Sequence, residues 1–90
     1  MDVCTRVGRN IRRLRVDAEM SQEALAVDAR LETVHVSRME RGVANPTVRV
    51  LERIARALRV DPSEFFRVET AKVPPANLRR GRKPARARRK

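Results

Sequence analysis

Ninety residues allow one domain with a modest core, and 22 Lys and Arg against 11 Asp and Glu leave a net charge of +11. Phe65 and Phe66 are the only aromatic residues, so the core has to be built from Val, Leu, Ile, Ala and Met. The single cysteine, Cys4, excludes an internal disulfide and fits a reducing compartment, and together with the single histidine, His35, it is too small a set for a structural metal site.

Val3, Val7, Ile11 and Leu14 recur at spacings of four, four and three. This pattern predicts an amphipathic helix with arginines on its other faces, ending before Ser21. Ser21 has the chemistry of an N-cap, because its hydroxyl can accept from an orphan N–H of the next first turn. Leu25, Ala26 and Ala29 then form a short inward stripe of small side chains, and Arg30 and Leu31 make a corner. A further helix is predicted from about Thr33 to Arg41, with Val36 and Met39 inward and Gly42 as its stop. "VANPT" reads as a loop in which Asn45-Pro46 starts a turn and Thr47 caps the following helix. Val50, Leu51, Ile54, Ala55 and Leu58 line the inner face of that helix. "DPSEFF" opens a last short helix, with Asp61 as cap and Pro62 in the first turn, where its missing N–H is no loss.

No alternating run bounded by hairpin signals suggests a strand. The expected fold is therefore all-α, a compact five-helix bundle over residues 1–69. Residues 70–90, rich in Pro, Ala and Arg, form a basic tail expected to be disordered when free.

Charge is unevenly distributed along this plan. Residues 1–70 hold 13 arginines against all 11 acids, a balance of +2, whereas residues 71–90 hold nine Lys and Arg and no acid, a balance of +9. Such a polycation calls for a polyanionic partner, nucleic acid first. A membrane surface fits less well, because the tail has no apolar face to insert. "MDVCTRVG" does not read as a signal peptide, and no run approaches the ~20 apolar residues of a membrane span. The absence of a glycine-rich phosphate loop or a nucleophile–base arrangement argues against an enzyme and against a bound cofactor.

The corner at Arg30-Leu31 gains a purpose in this light. Two short helices joined at a sharp angle let the first brace on a DNA backbone while the second lies in the major groove, which is wide enough for a helix. "IRRLR" at 11–15, "SQEALA" at 21–26, "VSRMERG" at 36–42, "NPT" at 45–47, "LERIARAL" at 51–58 and "DPSEFF" at 61–66 together resemble the helix-turn-helix domain of the phage repressor and Cro type, the XRE family.

The resemblance implies roles for individual residues. Gln22 matches the position that contacts a phosphate and steadies base-reading side chains. Thr33, Val34, Ser37 and Arg38 match the base-facing positions of the recognition helix, with Arg38 suited to guanine and Val34 to a thymine methyl. His35 is expected near phosphate or solvent. Arg41 and Asn45 match positions that touch the backbone, and Arg15 and Glu40 match a pair linking the first and third helices.

Three corners depart from the family pattern, with Glu19, Arg30 and Arg59 where glycine is common. Either these corners take another geometry or the fold tolerates a left-handed residue at ~1–2 kcal/mol each. Glu32 departs too. It stands where the family prefers Ser, Thr or Asp as cap, and its carboxylate would repel phosphates, select against some bases or accept from cytosine N4.

What the resemblance implies is a transcriptional regulator specific for double-stranded DNA, cytoplasmic and nucleoid-associated. The expected form is a repressor that binds an inverted repeat as a homodimer. The expected dimer surface lies around Phe65, Phe66 and Val68; Phe65 is expected in the core, and Phe66 divides between core and interface. The rival reading is a protein-interaction module, such as an antitoxin or a bridging factor. In the tail, Arg79, Arg80, Arg82 and Lys83 are expected to contact DNA. They would act as a nonspecific tether or, since "RRGRKP" resembles an AT-hook core, as a minor-groove reader.

Overall fold

The structure is a computed structural model and describes residues 1–68. Four α-helices follow one another as α1 (Val3–Asp17), α2 (Gln22–Ala29), α3 (Thr33–Glu40) and α4 (Val48–Leu58), and a 3₁₀ turn, Pro62–Phe66, closes the domain. The described residues form no strand. Residues 69–90, with the proposed contacts Arg79, Arg80, Arg82 and Lys83, lie outside the described residues.

Each helix starts where the sequence supplies an acceptor, with one exception. Asp2, Ser21 and Thr47 accept from the N–H groups of Thr5, Ala24 and Val50 at 2.8, 2.9 and 3.0 Å, and Asp61 does the same for Ser63 at 2.9 Å. These bonds satisfy donors that have no partner inside their own helix. Both aspartates are held below the ordinary carboxylate value of 3.8. For Asp2 the main cause is the Thr5 N–H, for Asp61 the hydrogen bonding of Ser63. The exception is α3, whose cap residue Glu32 makes no side-chain capping bond.

All four α-helices end in one way. The residue after the last turn is left-handed: Glu19 at φ 59°, Arg30 at 61°, Gly42 at 79° and Arg59 at 60°. Its N–H bonds three residues back and the next N–H bonds five residues back, as in Arg30 N–H to Val27 (3.2 Å) and Leu31 N–H to Ala26 (2.8 Å). This is the Schellman arrangement, which normally also docks an apolar residue just beyond the corner. Met20, Leu31 and Val60 occupy that place after three of the helices, and each packs on the core. Two hydrogen bonds and a half-buried apolar side chain thus offset the ~1–2 kcal/mol of a non-glycine left-handed residue.

The core is one cluster of aliphatic residues plus Phe65. Ile11, Leu25, Val36, Ile54 and Phe65 have no exposed surface, and burying side chains of this size contributes ~1.5–3 kcal/mol each. Helix α1 packs on α3 and on the 3₁₀ turn, while α2 packs on α3 and α4. Gly8 permits the first contact. A Cβ there would overlap the carbonyl oxygen of Met39 and stand 2.9 Å from that of Glu40.

The fold departs from the sequence expectation in two places. The expected fifth helix is a five-residue 3₁₀ segment. Asn10, buried in α1, donates from Nδ2 to the carbonyls of Phe65 and Arg67, both at 2.9 Å. Those bonds, with Phe65 anchored in the core, turn the chain to an extended conformation at Arg67 before a second turn can form. Val3, expected on the inner face of α1, is exposed because it sits in the first turn beyond the reach of the core. Phe65 is fully buried within one chain, which removes it from the expected dimer surface, while Phe66 and Val68 stay exposed.

Candidate nucleic-acid interface

Helices α2 and α3 meet at the corner formed by Arg30, Leu31 and Glu32. Leu25, Ala26 and Ala29 of α2 and Val36 and Met39 of α3 are buried, so the opposite face of α3 points outward by helical geometry. That outer face carries Thr33, Val34, Arg38 and, at the C-cap, Arg41, all exposed, with Ser37 half-buried beside them. Val34 keeps 57% of its surface exposed. The side chains of Arg38 and Arg41 form no hydrogen bond or ion pair among the described residues, which leaves both guanidiniums available to an external acceptor.

Beside α3 runs an open groove of roughly 630 Å³, lined among others by Glu32, Val34, His35, Arg38, Val43 and Asn45. His35 is half-buried and Asn45 exposed. A second, smaller depression lies between α1 and the start of α2, lined by Arg12, Arg15, Gln22, Ser37, Glu40 and Arg41. The structure thus places Val34, His35, Arg38 and Asn45 along one groove and Gln22, Ser37 and Arg41 along the other, with α3 between them.

The floor of the second depression is a fixed polar network. Arg15 donates to Glu40 twice, from Nε to Oε2 at 2.6 Å and from Nη2 to Oε1 at 3.1 Å, and from Nη1 to the Met20 carbonyl at 2.8 Å. Gln22 donates from Nε2 to Glu40 Oε1 at 3.0 Å. The side chains of Arg15 and Glu40 retain 13% and 4% of their exposure. One carboxylate therefore ties α1, α2 and α3 together and holds Gln22 at the depression.

Arg53 is a residue that sequence reasoning missed. From α4 it donates to the carbonyls of Ala29 (Nε, 3.0 Å) and Arg30 (Nη2, 3.2 Å), clamping the corner that sets the angle between α2 and α3. Its only sequence signal is its place beside the Val50–Ile54 stripe. Asn10 was missed as well, although a polar residue between Val7 and Ile11 on an apolar face is a visible cue.

The sequence matches a family described as a helix-turn-helix domain over residues 6–68. The chain belongs to the helix-turn-helix regulators of the phage repressor and Cro type. It is 35% identical over 60 residues to the control protein C.BamHI of Bacillus amyloliquefaciens, covering 66% of this chain and 74% of that one. It is 37% identical over 65 residues to the HTH-type transcriptional regulator SlrR of Bacillus subtilis, covering 71% of this chain but only 43% of that longer protein. Among solved structures, the restriction-modification controller protein C.AhdI from Aeromonas hydrophila superposes with a TM-score of 0.69 at 33% identity, over 70% of this chain and 96% of that one.

Helix-turn-helix regulators of this type bind double-stranded DNA to control transcription, and they are not enzymes. Among the described residues no group of His, Cys, Asp and Glu could hold a metal ion, and no helix is long and apolar enough to cross a membrane.

Proposed function

We propose that this regulator represses transcription by occupying an inverted-repeat operator as a homodimer, with α3 of each copy in the major groove of one half-site. The observation that carries this reading is the division of α3 into a fully buried face, Val36 and Met39, and an exposed face presenting Thr33, Val34 and Arg38. Arg38 forks onto guanine and Val34 packs on a thymine methyl. Gln22, Arg41 and Asn45 grip the flanking phosphates, with Ser37 and Thr33 serving base edges or backbone and His35 lying close to the phosphates.

One such domain reads only a few base pairs, too few to single out a site among a genome's competitors, and two-fold symmetry doubles the reading. Exposed Phe66 and Val68 at the end of the domain supply the apolar surface for the second copy. The nine Lys and Arg of residues 71–90, unaccompanied by any acid, add affinity for any DNA and keep the protein on the nucleoid in the cytoplasm. The relatives named as a control protein and a restriction-modification controller support a role in transcriptional control.

Selection of bound fragments from random duplex DNA tests the reading. The expected outcome is an inverted repeat with half-sites about one helical turn, ~34 Å, apart and two copies of the chain per duplex. Fragments without a shared sequence would refute it.

A further inference from the structure

Glu32 is the one α-helix cap residue among the described residues whose side chain caps nothing. It is exposed, and its carboxylate makes no hydrogen bond and no ion pair there, although Arg30 and Arg38 line the same groove. Ser, Thr or Asp at this place would bond the first turn of α3 directly. What Glu32 gives the helix instead is a weak interaction between its charge and the helix dipole. Against that stands a definite cost. A free carboxylate at the entry of the recognition helix repels the phosphates of any duplex that approaches, whatever its sequence.

Its position gives that charge a use. In helix-turn-helix domains the N-terminal residues of the recognition helix meet the base edges. Glu32 immediately precedes Thr33 and lies in one groove with Val34, Arg38 and Asn45. A carboxylate is acceptor-only, and in the major groove the base edge that offers it a donor with least competing acceptor is cytosine, whose N4 amine stands alone. Guanine presents N7 and O6 and thymine presents O4, all acceptors that a carboxylate repels. Adenine offers N6 beside the acceptor N7.

The geometry points to Glu32 as a specificity-determining residue that accepts from a cytosine N4 amine in each half-site, at a base pair other than the one read by Arg38. This inference rests on the reading that α3 enters the major groove. It explains why a carboxylate that repels DNA in general stands at this place: the repulsion is relieved at one base and felt at the others.

Selection from random duplex DNA, run with the wild-type chain, Glu32→Ala, Glu32→Gln and Arg38→Ala, decides the matter. The wild-type chain should prefer cytosine at one position per half-site by about fivefold or more, the lower range for a good base contact. Glu32→Ala should bring that preference below about twofold while leaving the position lost in Arg38→Ala intact. Glu32→Gln keeps the shape but adds a donor, and should move the preference toward adenine, which glutamine bonds at N6 and N7. Thermal melts of both Glu32 variants establish that the domain is folded at the binding temperature. If Glu32→Ala instead tightened binding to all duplexes with every base preference unchanged, Glu32 would be a repulsive charge alone and the inference would be overturned. If Arg38→Ala also left all preferences unchanged, the fault would lie with base reading by α3 itself.

Discussion

Replacing Glu40 by alanine tests the network that joins α1, α2 and α3. Glu40 accepts two bonds from Arg15 and one from Gln22, and its side chain is 4% exposed. Its loss leaves the Arg15 guanidinium, 13% exposed, with only the Met20 carbonyl. Breaking a buried ion pair by removing one partner costs ~3–5 kcal/mol. The remaining bond and the partial access of water to Arg15 put the expected cost near the lower end, about 3 kcal/mol. For a domain of this size that lowers the midpoint of thermal unfolding by roughly 12–24 °C, at ~4–8 °C per kcal/mol.

Urea titration of the wild-type chain, Arg15→Met, Glu40→Ala and the double variant gives the coupling directly. Because Arg15→Met removes the stranded charge but keeps the apolar stem, the double variant should be more stable than Glu40→Ala alone. A cost below ~1 kcal/mol for Glu40→Ala, the range of an exposed pair, or a cycle without coupling would refute the reasoning.

Three further outcomes are expected. Gly8→Ala should destabilise by at least ~1–3 kcal/mol or prevent folding, since its methyl group would collide with backbone carbonyls of Met39 and Glu40 that cannot swing away; a melt within a degree or two of wild type would contradict the close contact of α1 and α3. Asp2 and Asp61 have carboxyl groups held below 3.8 in the folded state, so their contribution is complete above that pH and is lost as pH falls through their folded values. The stability difference between the wild-type chain and the Asp2→Ala, Asp61→Ala double variant should therefore shrink as pH drops below 3.8, and a difference that stayed constant to pH 2 would show that charge is not the cause. A chain cut after Glu69 should keep its operator preference but bind all DNA more weakly, with the slope of log affinity against log salt shallower by ~0.9 per lost phosphate contact; an unchanged slope would mean that the tail serves another partner, and a selective loss on A·T-rich flanks would favour minor-groove reading.

The order and extent of the helices were legible because the information is local. The stripe Leu51, Ile54, Ala55 and Leu58 repeats at helical spacing, and Ser21 and Thr47 mark the starts with acceptors that the structure uses. The corners were half legible. Glycine is the usual sign of a left-handed residue, and Glu19, Arg30 and Arg59 hide it. The apolar residue one step beyond, Met20, Leu31 or Val60, carries the signal instead. What stayed invisible depends on partners distant in the chain. Asn10 meets Phe65 and Arg67 across more than fifty residues and ends the last segment as a 3₁₀ turn. Arg53 meets Ala29 and Arg30 only once α4 has packed on α2. In the candidate site, the Arg15–Glu40 link was anticipated by family resemblance alone, and nothing in the sequence announced that Gln22 would join it.

The central claim is that α3 reads bases, and Arg38 tests it most directly. Affinity of the wild-type chain and of Arg38→Ala should be measured on the selected operator and on a random duplex, at two salt concentrations. The account predicts a loss of ~1–3 kcal/mol on the operator, with relaxed preference at one base pair per half-site and a distinctly smaller loss on the random duplex. Equal losses on both duplexes, accompanied by a shallower salt slope, would show that Arg38 touches only phosphate and would contradict the account.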